Sequence, residues 1–315
     1  MSGIPVFDDW LDVTVPWHGA VVPLGNFDGV HRGHQVLIGQ AAEAAKAKDA
    51  PVVALTFEPH PRTFFVKDTA PFRLTSPQAK ARLLARFGVQ AVLAQRFDPA
   101  FAAVAAEDFV DGILVAGLRA RHVVCGYDFT FGARRSGNVD MLQRMGAERG
   151  FAVTVVPPVM REGEIYSSTR IREALRAGMV REAADLLGHS WEIEGMVEQG
   201  DQRGRTIGFP TANVALGEYL RPRFGVYAVR AAIEENGAWA WRDGVANLGR
   251  RPTFGKLREN FEVHVLDYDG DLYGRAVRVA LVDFIRPEMK FAGLDALKSQ
   301  IAADRDAARE ILRAG

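Results

Sequence analysis

The spacing of apolar residues changes period partway along the chain. Up to about residue 187, short continuous apolar runs alternate with amphipathic stretches. The runs at 20–24, 51–57, 91–94, 122–126 and 151–156 read as strands buried on both faces. Between them, helical spacing is predicted over 35–48, 76–87, 108–118, 139–149 and 168–177. The punctuation agrees. Ser76 and Pro77 suit a cap and a first helical position, with Ser168 or Thr169 as a later cap, and Gly88, Gly150 and Gly178 follow helix ends. Such an alternation predicts an α/β fold with a Rossmann-like open parallel sheet, taking ligands at the C-terminal ends of its strands.

Beyond Gly188 the period becomes two. Trp191, Ile193 and Val197 share one parity, and Glu192, Glu194 and Glu198 the other, as in a half-buried antiparallel strand. Runs at 224–233 and 238–246 flank Asn236-Gly237, a two-residue hairpin signal. The run 261–268 meets a second such signal, Asp269-Gly270, and 276–285 adds a further strand. Leu294, Leu297, Ile301, Ala308 and Ile311 then fall on one face of a closing helix. The expectation is a second domain, a small antiparallel β-barrel with a terminal helix. Residues 1–187 and 188–315 are the two expected domains.

Composition narrows the function classes. Across 315 residues, 39 Lys+Arg balance 39 Asp+Glu, so no global field favours nucleic acid or anionic lipid. The single cysteine, Cys125, excludes an internal disulfide and a cysteine-rich zinc site, and fits a reducing cytoplasm. No apolar run approaches the roughly 20 residues that span a bilayer. The first dozen residues are acidic and lack a signal-peptide pattern.

The strongest chemical signal is the stretch Gly25-Asn26-Phe27-Asp28-Gly29-Val30-His31-Arg32-Gly33-His34. It joins a strand to a helix start, where unpaired N–H groups and a partial positive charge face an anion. Gly25, Gly29 and Gly33 allow close backbone approach to a bulky ligand, and His31 and His34 point to one side of the first turn. A histidine pair can also be half of a metal site, but no third ligand is evident. A second phosphate signal is Ser167-Ser168-Thr169-Arg170-Ile171-Arg172, with hydroxyls at a helix start and an arginine one turn in. Neither a GxGxxG fingerprint nor a Walker A loop is present.

The second half carries its own cluster. Residues 200–213 form a glycine- and arginine-rich loop ending in Thr211 and Asn213, whose oxygens suit Mg²⁺, an ion that takes few protein ligands beside substrate phosphates. Glu262 and His264 share one face of a strand, and a positioned carboxylate there would serve as a general base.

The motif around His31 and His34 resembles the HxGH signature of nucleotidylyltransferases, and the order of motifs over nearly the whole chain resembles the bacterial bifunctional riboflavin kinase/FMN adenylyltransferases, or FAD synthetases. The motifs include 56–61, 126–132, 225–227, 247–249, 251–253 and 286–288. The resemblance implies a cytoplasmic enzyme that makes FMN from riboflavin and ATP in its second domain, and FAD from FMN and ATP in its first. It implies Glu262 as base, Thr211 and Asn213 as Mg²⁺ ligands, and Gly200, Gly204, Arg205 and Gly208 around the ATP phosphates. For adenylyl transfer it implies His31, His34 and Arg172 as catalytic residues, with Gly25, Phe27, Asp28, Gly29, Gly33, Ser168 and Thr169 around phosphate. Asp128, Phe129, Phe131, Tyr227 and Arg286 are the candidate flavin or nucleotide contacts. Two other readings stay open at this point: a regulatory flavin-binding module without chemistry, and a nucleotidylyltransferase for another phosphate substrate.

Overall fold

Six parallel strands make the first sheet: β1 (Val6–Phe7), β2 (Val21–Leu24), β3 (Val53–Glu58), β4 (Ala91–Arg96), β5 (His122–Gly126) and β6 (Ala152–Val156). The computed structural model describes residues 3–66, 70–199, 209–235, 237–253 and 256–314. The spatial order is β1-β4-β3-β2-β5-β6. The run at 20–24 is therefore the second strand. The two residues of β1 are too few to show a period and join the edge at β4. Strand order reverses at β2, with β3 on one side and β5 on the other. A crevice at that reversal is where an open α/β sheet takes its ligand. The turn after β2 lies there.

Two apolar layers sandwich the sheet, as its double burial requires. One holds Leu37, Ile38, Ala41 and Ala45 from the helix Arg32–Lys48, with Leu83 and Leu84 from the helix Pro77–Arg86. The other holds Phe109, Val110, Ile113, Leu114, Leu142 and Met145. The expected helix 108–118 is one turn, Ala106–Asp108, continued as a π-helix over Phe109–Gly117. A two-residue pairing, β7 (Met160–Arg161) with β8 (Glu164–Ile165), follows the sheet.

By its contacts the chain divides into two compact units, residues 1–69 with 77–167, and residues 70–76 with 168–315. The second opens with helices Ser168–Ala177 and Val180–Leu187; the latter had no counterpart in the sequence reading. Within this unit Trp191 is fully buried, and its indole N–H donates to the carbonyl of Leu74 at 2.8 Å.

The remainder is a closed antiparallel barrel of β9 (Trp191–Glu198), β10 (Ala212–Val214), β11 (Gly225–Glu235), β12 (Ala238–Thr253), β13 (Lys256–Val265) and β14 (Ala276–Pro287), in the order β10-β13-β12-β11-β14-β9. β11 and β12 pair from Gly225↔Leu248 to Glu235↔Ala238, around the expected turn at Gly237. Asp269-Gly270 is no such turn. β13 pairs with β12 and β10, so these residues lie in the long connection to β14, which is not its neighbour. The terminal helix spans Leu294–Ala314 and covers Ala228, Val245 and Val282 with Ala308, Ile311 and Leu312. Leu294 stays exposed, while a charge, Asp304, is buried.

Candidate active sites

In the first unit the turn from β2 into the helix Arg32–Lys48 is tightly specified. Phe27, Val30 and Gly29 all take positive φ, at 49°, 42° and 86°. Non-glycine residues there are held by surroundings, and such strain concentrates at functional turns. Phe27 and Val30 are fully buried, so packing supplies the hold. His31 is the N-cap, with no side-chain cap bond, which starts the helix three residues earlier than its apolar period does.

The His31 and His34 rings stack with centroids 3.6 Å apart and 24° between planes. Phe27 sets its ring against His34 at 5.2 Å. Burial, then the neighbouring His31 and then Lys80 hold the His34 pKa well below the usual 6.5. His34 is thereby neutral at pH 7, with one ring N–H to donate. Gly33 makes the stack possible, since a Cβ there would come within 3.1 Å of His31 Cε1. Asp28 is buried beside them.

Lys80 is the participant that sequence reasoning missed. It lies on the buried face of the helix Pro77–Arg86 and pairs with Glu58 at 2.7 Å. An amphipathic period reports one polar interruption on an apolar face; only the fold shows what it meets.

Across the reversal, β5 ends at Gly126 and leads to Asp128. Burial and then the Asp128 charge push the Cys125 thiol up to about 12, so this cysteine is an inert core residue. Phe129 is partly buried and stacks on Phe131 at 5.7 Å, while Phe131 is a core residue packed on Phe109.

In the second unit Ser168 and Thr169 open the helix Ser168–Ala177, so both are helical rather than capping residues. Arg172 is buried one turn on. Its Nε donates to the Phe72 carbonyl at 2.9 Å and its guanidinium lies 5.4 Å from the Phe72 ring centroid. Gly200, Gly204, Arg205 and Gly208 lie outside the described residues.

On the barrel, strand register assembles a polar row. Asn213 of β10 stands opposite Glu262 of β13, and Glu262 stands opposite Asn247 of β12. Directly opposed residues share a face, so all three side chains lie on one face of the wall. Asn260 donates to Glu262 Oε1 at 2.5 Å, and His264 donates from Nδ1 to the carbonyl of Pro210, the residue before Thr211, at 2.7 Å. Asn247 falls within the 247–249 motif without an assigned role and Asn260 within none, because cross-strand register is invisible without the fold. Beside Thr211 opens a cavity of about 490 Å³, lined among others by Pro210, Val263, Tyr268, Asp269 and Tyr273.

Tyr227 is fully buried, donates its hydroxyl to the Arg223 carbonyl and sets its ring against Phe284. Arg286 makes a bidentate pair with Asp304, at 2.8 and 2.7 Å. Both side chains are committed to the barrel's own packing. Among the described residues no cluster of three or more His, Cys, Asp or Glu suits a metal ion.

The FAD synthetase family pattern matches residues 14–170, and the riboflavin kinase pattern residues 187–312. The bifunctional riboflavin kinase/FMN adenylyltransferase of Escherichia coli K12 is 46% identical over 94% of this chain and 93% of its own. Its counterpart in Listeria monocytogenes is 37% identical over 96% and 94%. A crystal structure described as a macrolide-efflux protein from Streptococcus pneumoniae is 34% identical, with a TM-score of 0.85 over 96% of this chain and 98% of that one. In this protein no described helix is long and apolar enough to cross a membrane.

Proposed function

The chain belongs to the bifunctional riboflavin kinase/FMN adenylyltransferase family, and from that premise we propose which of its own residues carry each of the two reactions. It is a transferase that phosphorylates riboflavin to FMN and adenylylates FMN to FAD, with ATP as donor in both steps. We assign adenylyl transfer to residues 1–187 and phosphorylation to 188–315, in a cytoplasmic enzyme.

Phosphorylation is assigned to the face that holds Glu262. The ribityl hydroxyl of riboflavin passes its proton to the Glu262 carboxylate as its oxygen attacks the γ-phosphorus of ATP, and ADP leaves. A positioned base contributes about 10²–10⁴ in rate, and the rest of phosphoryl transfer is alignment and charge neutralisation. Asn260 holds the carboxylate by donating to Oε1. Thr211 and Asn213 would hold Mg²⁺: a hydroxyl and an amide oxygen are hard neutral donors, and Asn213 lies in register with the base. When bound, the ion neutralises phosphate charge. The cavity beside Thr211, with apolar and aromatic walls and two acidic residues, suits the nucleoside end of ATP rather than its phosphates.

Adenylyl transfer is assigned to the turn after β2. A phosphate oxygen of FMN attacks the α-phosphorus of ATP and pyrophosphate leaves. No protein base is needed, because a phosphate monoester is already anionic near neutral pH. His31, His34 and the helix N-terminus supply donors to the oxygens that gain charge. Ser168, Thr169 and Arg172 keep the phosphate role that their motif implies. Phe129 offers a ring face to the flavin, and Asp128 a hydrogen-bond acceptor. Tyr227, Phe131 and Arg286 are assigned to packing instead.

The observation that carries this division is the presence of two unlike polar constellations, a stacked histidine pair at a sheet reversal and a carboxylate in register with an amide. The test is incubation with riboflavin, ATP and Mg²⁺, separating products by chromatography, with His34→Ala and Glu262→Gln alongside. The division requires His34→Ala to stop at FMN and Glu262→Gln to make FAD only from supplied FMN. If either variant lost both activities while remaining folded, the division would be wrong.

A further inference from the structure

A lysine that is 3% exposed is costly to fold unless its charge is answered. Lys80 sits between Ala79 and the Leu83–Leu84 pair on the buried face of its helix. Its Nζ lies 2.7 Å from Glu58 Oε1 and donates to Thr56 Oγ1 at 3.2 Å. Having accepted that bond, the Thr56 hydroxyl directs its own hydrogen to the Asn26 carbonyl, 3.1 Å away. Asn26 stands between Gly25 and the strained Phe27, at the start of the turn that delivers His31 and His34. Helix, sheet and turn are thus tied by one hydrogen-bonded chain with a fixed direction.

We propose that Lys80 is a positioning residue for adenylyl transfer: anchored on Glu58, it acts through Thr56 on the Asn26 carbonyl and so fixes the turn that presents the histidine pair. This rests on assigning that reaction to the turn. A lysine serving only to fill space would be better replaced by an apolar side chain, since the buried pair brings little net stability. What the pair does add is orientation. Hydrogen bonds to a charged group are stronger than neutral ones, and this one settles which way the Thr56 hydroxyl points. The charge also acts at a distance. His31 at the cap of the same helix and then Lys80 lower the His34 pKa beyond burial, Glu58 on β3 answers Lys80, and the Asp28 carboxyl lies buried on the same turn. The Lys80 charge disfavours a second cation beside the stacked rings, which keeps His34 in its neutral donor form.

The experiment compares the parent enzyme, Lys80→Met, Thr56→Val and His34→Ala in separate assays of riboflavin phosphorylation and FMN adenylylation. Lys80→Met is expected to lower the kcat of adenylylation about a hundredfold, as small misplacements of catalytic groups do. It should leave phosphorylation unchanged and move the acid limb of the adenylylation pH profile to higher pH. Thr56→Val is nearly isosteric and breaks the chain without touching the charge. It should lower adenylylation without moving the acid limb, and it decides the matter if Lys80→Met does not fold. Unchanged adenylylation in Thr56→Val, or an unmoved acid limb in a folded Lys80→Met, overturns the inference. If His34→Ala retains adenylylation, the assignment of the reaction to this turn fails instead.

Discussion

Asn213 and Glu262 face each other across the pairing of β10 with β13, so an amide oxygen and a carboxylate share one spot on the barrel wall. In the assignment proposed above, the pair divides the phosphorylation chemistry between base and metal ligand. Glu262→Gln keeps the shape and removes the base, and should lower FMN formation by about 10²–10⁴. Conversion of supplied FMN to FAD should continue at the parent rate. Chromatography of the two reactions run separately checks both halves.

Asn213→Ala is expected to act differently. Removing one neutral ligand from an ion that relies on few protein ligands should raise the Mg²⁺ concentration needed for half-maximal phosphorylation. The rate at saturating Mg²⁺ should fall less than in Glu262→Gln. A Mg²⁺ titration of initial rates distinguishes the two variants.

Gly33→Ala separates stability from activity by sign. In a helix, alanine is favoured over glycine by about 1 kcal/mol, so the melting temperature should not fall. The new methyl group would meet His31 at 3.1 Å and push the ring out of its stack. Adenylylation should therefore drop by about 10²-fold. Calorimetry and the FMN-to-FAD assay together read the opposing effects.

The low His34 pKa carries a pH dependence of known direction. The unfolded chain takes up this proton near 6.5, whereas the folded site resists it. Between that value and the lower folded pKa the unfolded state binds more protons, so stability is full above 6.5 and declines as pH falls below it. His34→Gln should flatten that decline. Melting temperatures of parent and variant across the acid range measure the difference.

Asp304 is 5% exposed in its side chain and bonded twice to Arg286 and once to Gln300. Asp304→Ala removes the buried carboxylate that anchors the half-buried Arg286 guanidinium, a loss of charge-assisted hydrogen bonds worth about 1.5–3 kcal/mol. The loss should appear in the unfolding of the second unit, since two units need not melt together. Denaturant unfolding of parent and variant should show it, with adenylylation retained at low denaturant.

Much of this architecture was legible along the chain, for identifiable reasons. Strand β5 at His122–Gly126, the helix Val139–Arg149 and strand β9 at Trp191–Glu198 appear where their periods place them. Each is long enough to show its period. β1 and β10, of two and three residues, are too short to show any. The turn signal at Asp269-Gly270 misled because it is local, whereas β13 finds its partners far off in sequence. Among site residues, His31, His34 and Glu262 were visible in motifs. Lys80 and Asn260 were not, because their partners are set by helix docking and strand register; Asn247 lies in the 247–249 motif, but only register places it beside Glu262. Motif position makes Tyr227 and Arg286 candidate ligand contacts, and the fold shows what it could not: the hydroxyl donates to the Arg223 carbonyl and the guanidinium pairs with Asp304.

The six-membered ring of strands is joined through its shortest member. Three residues of β10 bridge β9 and β13, and the middle one is Asn213. The thinnest hoop of the cask thus carries the residue proposed above as a metal ligand. If Asn213 ligates the ion as proposed, binding stabilises that hoop, and amide hydrogens along the seam should exchange more slowly in the loaded enzyme than in the empty one.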